Sequence, residues 1–230
     1  MNIFTKIEQR TVDKEVVDLL REAIISGDLT LGAHLPETEL AAQMAVSRIP
    51  IREALRQLEQ EGLVVRHPNR GCFVINFSEH DVQEVFSLRS MLEAMAFEWA
   101  LPNLAGKDYQ ALQDIIDDQR EAIQQEDYKR LAYLDMHFHE YICNKAGHSR
   151  LLKTWYEQHA QCQILLNLRF QTLAEYTPDT VLNDHTEILA ALQAGDADKA
   201  MKLTLEISQR VSRECIETLH SVTTKAVLRS

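Results

Sequence analysis

The stretch Ser47-Arg48-Ile49-Pro50-Ile51-Arg52-Glu53-Ala54-Leu55-Arg56-Gln57-Leu58 decides how the first third of this chain folds. Arg48, Arg52 and Arg56 recur every fourth residue, so on a helix they share one face. Ala54, Leu55 and Leu58 fall on other sides and can pack inward. Ser47 suits a helix cap, and Pro50 is tolerated in a first turn, where its missing N–H costs little. Upstream, Glu37 to Met44 reads as a short helix. Downstream, Glu61-Gly62-Leu63-Val64-Val65-Arg66 reads as a helix end running into a strand.

A helix with a cationic face near its N-terminus, preceded by a short helix and a tight turn, is the layout of a DNA-reading helix-turn-helix. Arginines at helical spacing also suit a plain solvated face, and this helix alone does not choose between the two. Its surroundings add weight. From Val12 to Ile25, apolar Val16, Leu19, Leu20, Ala23 and Ile24 sit at helical spacing, and Ser26-Gly27-Asp28 ends that helix. Leu29 to Leu35 reads as a short connection around Gly32, and Pro36 starts the next helix. After the arginine-bearing helix come Leu63-Val64-Val65-Arg66, then His67-Pro68-Asn69-Arg70-Gly71, then Cys72-Phe73-Val74-Ile75. Two β-branched-rich runs around a Pro-Asn-x-Gly turn read as a hairpin. Three helices and a hairpin make a winged helix-turn-helix over residues 1–77, with Arg70 placed at the wing tip for a phosphate or minor-groove contact and Gly71 allowing close backbone approach. Taken alone, Arg70 reads as an ordinary exposed turn residue. Residues 1–10 show no clear pattern and are expected to be an arm or a frayed end.

The chain has 230 residues and a formal net charge of −11, which at first argues against a nucleic-acid partner. The distribution reverses that. Residues 1–77 hold nine Lys/Arg against eleven Asp/Glu, net −2, and the remainder holds fifteen against twenty-four, net −9. Between Val46 and Cys72 there are five Arg, three Glu and His67. The local field governs phosphate binding, and an acidic second domain can hold itself off the duplex. No run approaches the roughly 18 apolar residues of a spanning helix, and no leader pattern is present, so a cytoplasmic protein is expected. Cys72, Cys143, Cys162 and Cys215 are scattered and read as buried or idle thiols rather than a disulfide framework.

From Ser78 to about Leu219 the pattern is helical. It is broken near Leu101–Lys107, Glu126-Asp127, Lys145–Ser149, Ala174–Thr180 and Ala194–Ala197, and implies an all-α bundle of six or seven helices over residues 78–230. The whole is thus mainly α. Ser78-Glu79-His80-Asp81 has the form of a helix cap. Three bundle stripes carry ionisable residues where apolar ones belong. Arg89 lies with Val85, Leu92, Ala96 and Trp99. Asp135 and His139 lie with Leu131, Leu134, Phe138 and Ile142. His185 lies with Val181, Ile188, Leu189 and Leu192. Inward charges are expensive unless they answer each other, a metal or a ligand. Singly, each has a plain explanation: a satisfied core hydrogen bond for Asp135 and His139, an ion pair with Asp135 or Glu93 for Arg89. Together they favour a polar cavity, and an Asp and His four apart on one helix plus a His from another can chelate a divalent cation.

Ile24-Ile25-Ser26-Gly27, Leu31-Gly32-Ala33-His34-Leu35-Pro36-Glu37-Thr38-Glu39-Leu40-Ala41, Val46 to Leu55 and Asn69-Arg70-Gly71-Cys72-Phe73-Val74 closely resemble the GntR family of bacterial transcription regulators. The resemblance implies that Ser47, Arg48 and Arg52, with Ile49 among them, read or clamp DNA, and that Arg70 and Gly71 act on the wing. Thr38 stands where some members carry an Arg that contacts the operator. Leu88 to Glu93, Asp135-Met136-His137-Phe138-His139, His185 to Leu192 and Gly195 to Ala200 resemble the FCD-type ligand-sensing domain of one GntR subgroup. In its metal-binding members an Asp and three His hold the cation, and an organic acid can complete the coordination. Asp135, His139 and His185 match three of those positions for a Zn, Ni or Mn ion. The fourth falls on Ile207, which has no donor atom, and His148 stands where members often have Asn. His137 and His159 are not expected among the ligands.

The expected function is a homodimeric repressor that binds a near-palindromic DNA operator and is controlled by a small carboxylate effector held by Arg89, Asp135, His139 and His185. Two rivals are a metal-dependent hydrolase using Asp135, His139 and His185, and a helical adaptor without a ligand. No hydrolase-like spacing of a general base supports the first.

Overall fold

The computed structural model describes residues 10–172 and 179–227, with the side chains of residues 14–172 and 179–222. The expected N-terminal arm and most of the break at Ala174–Thr180 lie outside the described residues. Contacts divide the chain between Asn76 and Phe77, one residue before the expected boundary.

The first unit begins with α1 (Arg10–Ile25). Val16, Val17, Leu20 and Ile24 are buried, whereas Leu19, expected in the stripe, is 56% exposed. At about 100° per residue those four span a single arc that leaves Leu19 outside it. A two-residue strand β1 (His34–Leu35) follows, within what reads from sequence as a connection. Helix α2 (Glu37–Gln43) and α3 (Arg48–Gln60) form the helix-turn-helix. Pro36 precedes α2 at the cap position instead of opening it. Ala45 in the connecting turn takes a left-handed φ of 53°. Pro50, Ile51, Ala54, Leu55 and Leu58 bury the inner face of α3.

Strands β2 (Val64–His67) and β3 (Gly71–Val74) pair antiparallel, and β1 adds to the other edge of β3, giving the order β1-β3-β2. The wing is therefore a three-stranded sheet, with Val64 opposite Val74 and His67 opposite Gly71. Each strand is offset by one residue from the expected run, yet Ile75 N still donates to Leu63 O at 2.9 Å, so the pairing direction and turn are unchanged. Asn69 (φ 61°) and Gly71 (φ 93°) turn the hairpin. The left-handed φ of Gly71 favours glycine there, and a Cβ would also sit 2.9 Å from the His34 ring, which would have to shift.

The second unit contains, among the described residues, α4 (Glu79–Ala100), α5 (Gly106–Gln124), α6 (Tyr128–Lys145), α7 (Ser149–Thr172), α8 (Asp179–Gln193) and α9 (Ala197–Val227). Ser78 and Asp81 form the expected capping box at the start of α4. Asp108 ties α5 to α6 by accepting from Tyr141 at 2.8 Å and pairing with Lys145 at 2.6 Å. His148 caps α7: its Nδ1 accepts from Leu151 N at 3.1 Å, and its ring stacks on Trp99. That is work an Asn side chain also does, so His148 is a structural replacement and no ligand. All four cysteines are free and buried. No helix among the described residues is long and apolar enough to cross a membrane.

Candidate functional site

Two places concentrate chemistry. On the first unit, α3 presents Arg48 and Arg52, whose side chains are 58% and 56% exposed. Both reach back to one carboxylate, that of Glu37 at the start of α2: Arg48 at 3.1 Å and Arg52 at 3.0 Å. Hydrogen bonding from Arg52, and less from Arg48, holds Glu37 below the ordinary carboxylate range. The arginines thus rest on their own domain while their guanidinium groups stay largely in solvent. Arg56 departs from this pair and bonds Glu53 at 3.0 Å. Ser47 occupies the cap position of α3, but its hydroxyl makes no cap hydrogen bond. Thr38 and Ser47 are exposed, and Ile49 is exposed at 72%. Arg70 lies at the hairpin turn with its guanidinium 5.8 Å from the Phe73 ring.

In the second unit the four inward ionisable residues come together. Asp135, His139 and His185 offer ligand atoms that all lie within 4.8 Å of one another. His185 Nε2 is 3.2 Å from His139 Nε2 and 3.7 Å from Asp135 Oδ1. The far atom of each donor group is held by another residue. Arg89 Nη2 donates to Asp135 Oδ2 at 3.2 Å, Glu93 Oε2 lies 2.9 Å from His139 Nδ1, and Gln119 Oε1 lies 2.9 Å from His185 Nδ1. The Glu93 carboxylate is within hydrogen-bond distance of that ring nitrogen, though not well aligned with it. Glu93 also accepts from Arg89 Nε at 2.7 Å and from Trp155 Nε1 at 3.0 Å.

Arg89 therefore forms ion pairs with both Glu93 and Asp135. Burial opposes ionisation of all three, and the mutual charges outweigh it. Glu93 is pulled down to about 2, Asp135 is lowered, and Arg89 is raised. Burial pushes His185 down to about 3, which keeps its ring neutral and able to donate a lone pair. Phe138 stacks on that ring at 4.2 Å and fixes its plane. His137 turns away toward Glu140, as its position two residues from each ligand requires.

The donor set fits a divalent cation. Two imidazoles and a carboxylate converge, each oriented by an outer partner, as metal ligands usually are. Ile207 lines the same cavity and supplies no donor, leaving positions for water or a ligand oxygen. The cavity is small, about 30 Å³. That is room for an ion or a water, whereas pockets for organic ligands run to hundreds of Å³.

Three residues of this site carry more than the sequence reading assigned to them. Glu93, named there only as a partner for Arg89, bridges Arg89, Trp155 and His139. Gln119 and Arg169, each at most 1% exposed, were missed. Gln119 interrupts the stripe Leu112, Ile115, Ile116 and Ala122, and Arg169 interrupts Leu165, Leu166 and Phe170, so the signal that exposes Asp135 would have found them. Arg169 lines the cavity and bonds Glu214 at 2.7 Å.

Comparison with known proteins agrees with this geometry. Residues 13–74 match the model of the bacterial regulatory proteins of the gntR family, and residues 84–210 match the FCD domain. The gluconate operon transcriptional repressor of Bacillus licheniformis is 31% identical over 80% of this chain and 76% of its own length. The chain belongs to the GntR family. Another relative, a probable D-xylose utilization operon transcriptional repressor of Paenarthrobacter nicotinovorans, is 29% identical over 85% of this chain and 84% of its own. In fold, a GntR regulator from Rhodococcus sp. RHA1 superposes with a TM-score of 0.76 at 24% identity, covering 89% of this chain and 97% of that one. This GntR-family protein is a DNA-binding transcription regulator with an effector domain, not an enzyme, and the hydrolase alternative falls with that assignment.

Proposed function

We propose that this protein is a cytoplasmic, homodimeric repressor over domains 1–77 and 78–230, released from or locked onto a near-palindromic operator by a small organic acid bound with a divalent cation at Asp135, His139 and His185. The observation that carries the effector half is the convergence of three donor groups, each held from behind by Arg89, Glu93 or Gln119. Imidazoles that ligate a metal do so through a lone pair and are neutral, so Arg89, Glu93 and Asp135 sum to −1, with Arg169 offset by Glu214; a divalent cation reverses the sign, and the loaded site attracts a carboxylate. Zinc, nickel and manganese are the cations this mixed N/O set suits. The relative that is named for a gluconate operon makes sugar acids the first candidates.

Arg89 acts here by orienting Asp135, since two of its donor nitrogens already face carboxylates. The 30 Å³ cavity admits the cation but not a sugar acid, so effector entry requires the surrounding helices to separate. A ligand that binds only the opened bundle must shift the equilibrium toward it, and this is the coupling to DNA.

On the DNA side, Thr38, Ser47, Arg48, Ile49, Arg52, Arg70 and Gly71 form the contact set. Ile49 offers an apolar contact to a thymine methyl, and Arg52 a bidentate contact to guanine. Leu88, Met91 and Met95, exposed at 39%, 65% and 44%, are spaced three and four apart along α4 and make one apolar stripe suited to a second copy.

Elemental analysis of protein purified without a metal-affinity tag, followed by calorimetry of the metal-loaded protein against gluconate and a panel of small organic acids, tests the reading. One cation per chain and heat from at least one acid are expected. No bound cation and silence across the panel would sink it.

A further inference from the structure

The two ring nitrogens that face each other, His139 Nε2 and His185 Nε2, are 3.2 Å apart, close enough for a hydrogen bond. Which of them carries hydrogen is set from behind. His139 Nδ1 lies 2.9 Å from the Glu93 carboxylate, which can only accept, so in the neutral ring the hydrogen belongs on Nδ1 and Nε2 presents a lone pair. His185 Nδ1 lies against the side-chain amide of Gln119, whose two ends behave oppositely. With the carbonyl oxygen toward Nδ1, as found, His185 is the Nδ1–H tautomer and its Nε2 also presents a lone pair. Two lone pairs then meet at 3.2 Å, which is unfavourable unless a cation lies between them. The same orientation leaves Gln119 Nε2 fully buried without a partner. A buried amide hydrogen without an acceptor costs stability, as does the facing pair of lone pairs.

Rotating the Gln119 amide by half a turn removes the facing lone pairs and exchanges the orphaned amide N–H for a carbonyl oxygen at the same place. Its nitrogen then donates to His185 Nδ1, the His185 proton resides on Nε2, and Nε2–H donates to His139 Nε2. The proton count and net charge of the site are the same in both arrangements. Phe138 stacked on His185 holds the ring plane, so the imidazole itself need not turn. We propose that Gln119 selects the tautomer of His185, and thereby switches the facing imidazoles between a closed hydrogen-bonded pair and an open pair of metal ligands. This rests on the metal reading above. It adds that the metal-free protein is not a vacant copy of the loaded one, and that cation binding must break the His139–His185 bond.

Long-range proton–nitrogen correlation spectra of the histidine side chains in the full-length protein, freed of metal and then loaded with zinc, test this directly. The metal-free protein is expected to show His185 as the Nε2–H tautomer, and zinc is expected to convert it to Nδ1–H. Nδ1–H in the metal-free protein would overturn the proposal. Gln119→Met, which fills the space without hydrogen-bonding, is expected to weaken zinc binding roughly 10–100-fold in competition with a chelator, and Gln119→Glu to restore it. Unchanged zinc affinity in Gln119→Met would also overturn the proposal, and if that variant does not fold, the spectra of the unmodified protein decide. Failure of the unmodified protein to take up zinc would overturn the metal reading and the cation half of this proposal, whereas the metal-free tautomer judges the role of Gln119 by itself.

Discussion

Arginine meets carboxylate in both units of this protein, with opposite consequences. Arg48 and Arg52 share Glu37 at the surface, their side chains 58%, 56% and 19% exposed. Arg89 joins Glu93 and Asp135 in the bundle, at 7%, 3% and 11%. The distances are alike, so the surroundings decide what each pair does. In high dielectric an ion pair is worth about 0.2–1 kcal/mol, a contact that a phosphate or a guanine edge can replace. In the interior, removing one partner strands the others and costs about 3–5 kcal/mol. The surface pairs hold arginines ready to leave, and the buried pairs hold ligands so that they stay.

The sharpest way to break that comparison is Arg89→Met. It should lower unfolding free energy by about 3–5 kcal/mol in a denaturant titration, because Glu93 and Asp135 would face each other without a cation between them. A loss below about 1 kcal/mol would show that the buried pair is no firmer than the surface one. Next in size, Arg52→Ala should weaken binding to a selected operator duplex by about 1–3 kcal/mol at fixed salt, while folding stability moves by less than about 1 kcal/mol. Unchanged binding in a gel-shift titration would remove Arg52 from the contact set.

Glu37→Gln separates pairing from charge. Removing a negative group beside the phosphates should tighten non-specific binding, and freeing the two guanidinium groups should blunt operator selectivity by about 0.2–1 kcal/mol. Competition between operator and random duplex reads both effects, and a rise in selectivity would contradict a positioning role. The smallest effect belongs to the turn that sets α3 against α2. Ala45 at φ 53° is strained in a way glycine is not, so Ala45→Gly should raise the unfolding free energy by about 0.5 kcal/mol after the added unfolded-state entropy, read as a modest rise in melting point.

Much of this architecture was legible before any coordinates. The repeat of Arg48, Arg52 and Arg56, the Pro-Asn-x-Gly turn and the Ser78–Asp81 cap are local patterns, and local patterns survive folding because they depend on neighbours a few residues away. Leu19 misled because an amphipathic arc is narrower than the set of positions that fit a loose stripe. Strand β1 escaped because two residues carry no period. That Asp135, His139 and His185 share one cavity was readable from their inward positions. Their outer partners were less so. Gln119 and Arg169 stand out only once a polar residue in every apolar stripe is treated as a question.

The sequence by itself determined the order of elements, the winged helix-turn-helix and the presence of ionisable groups inside the bundle, since each follows from spacing along the chain. Tertiary structure alone decided which groups meet: Arg89 with Asp135 across 46 residues, Trp155 with Glu93 across 62, His185 with Gln119 across 66. Those pairings depend on how whole helices pack, which no local period encodes. They set the protonation, orientation and burial from which the chemistry of the site follows.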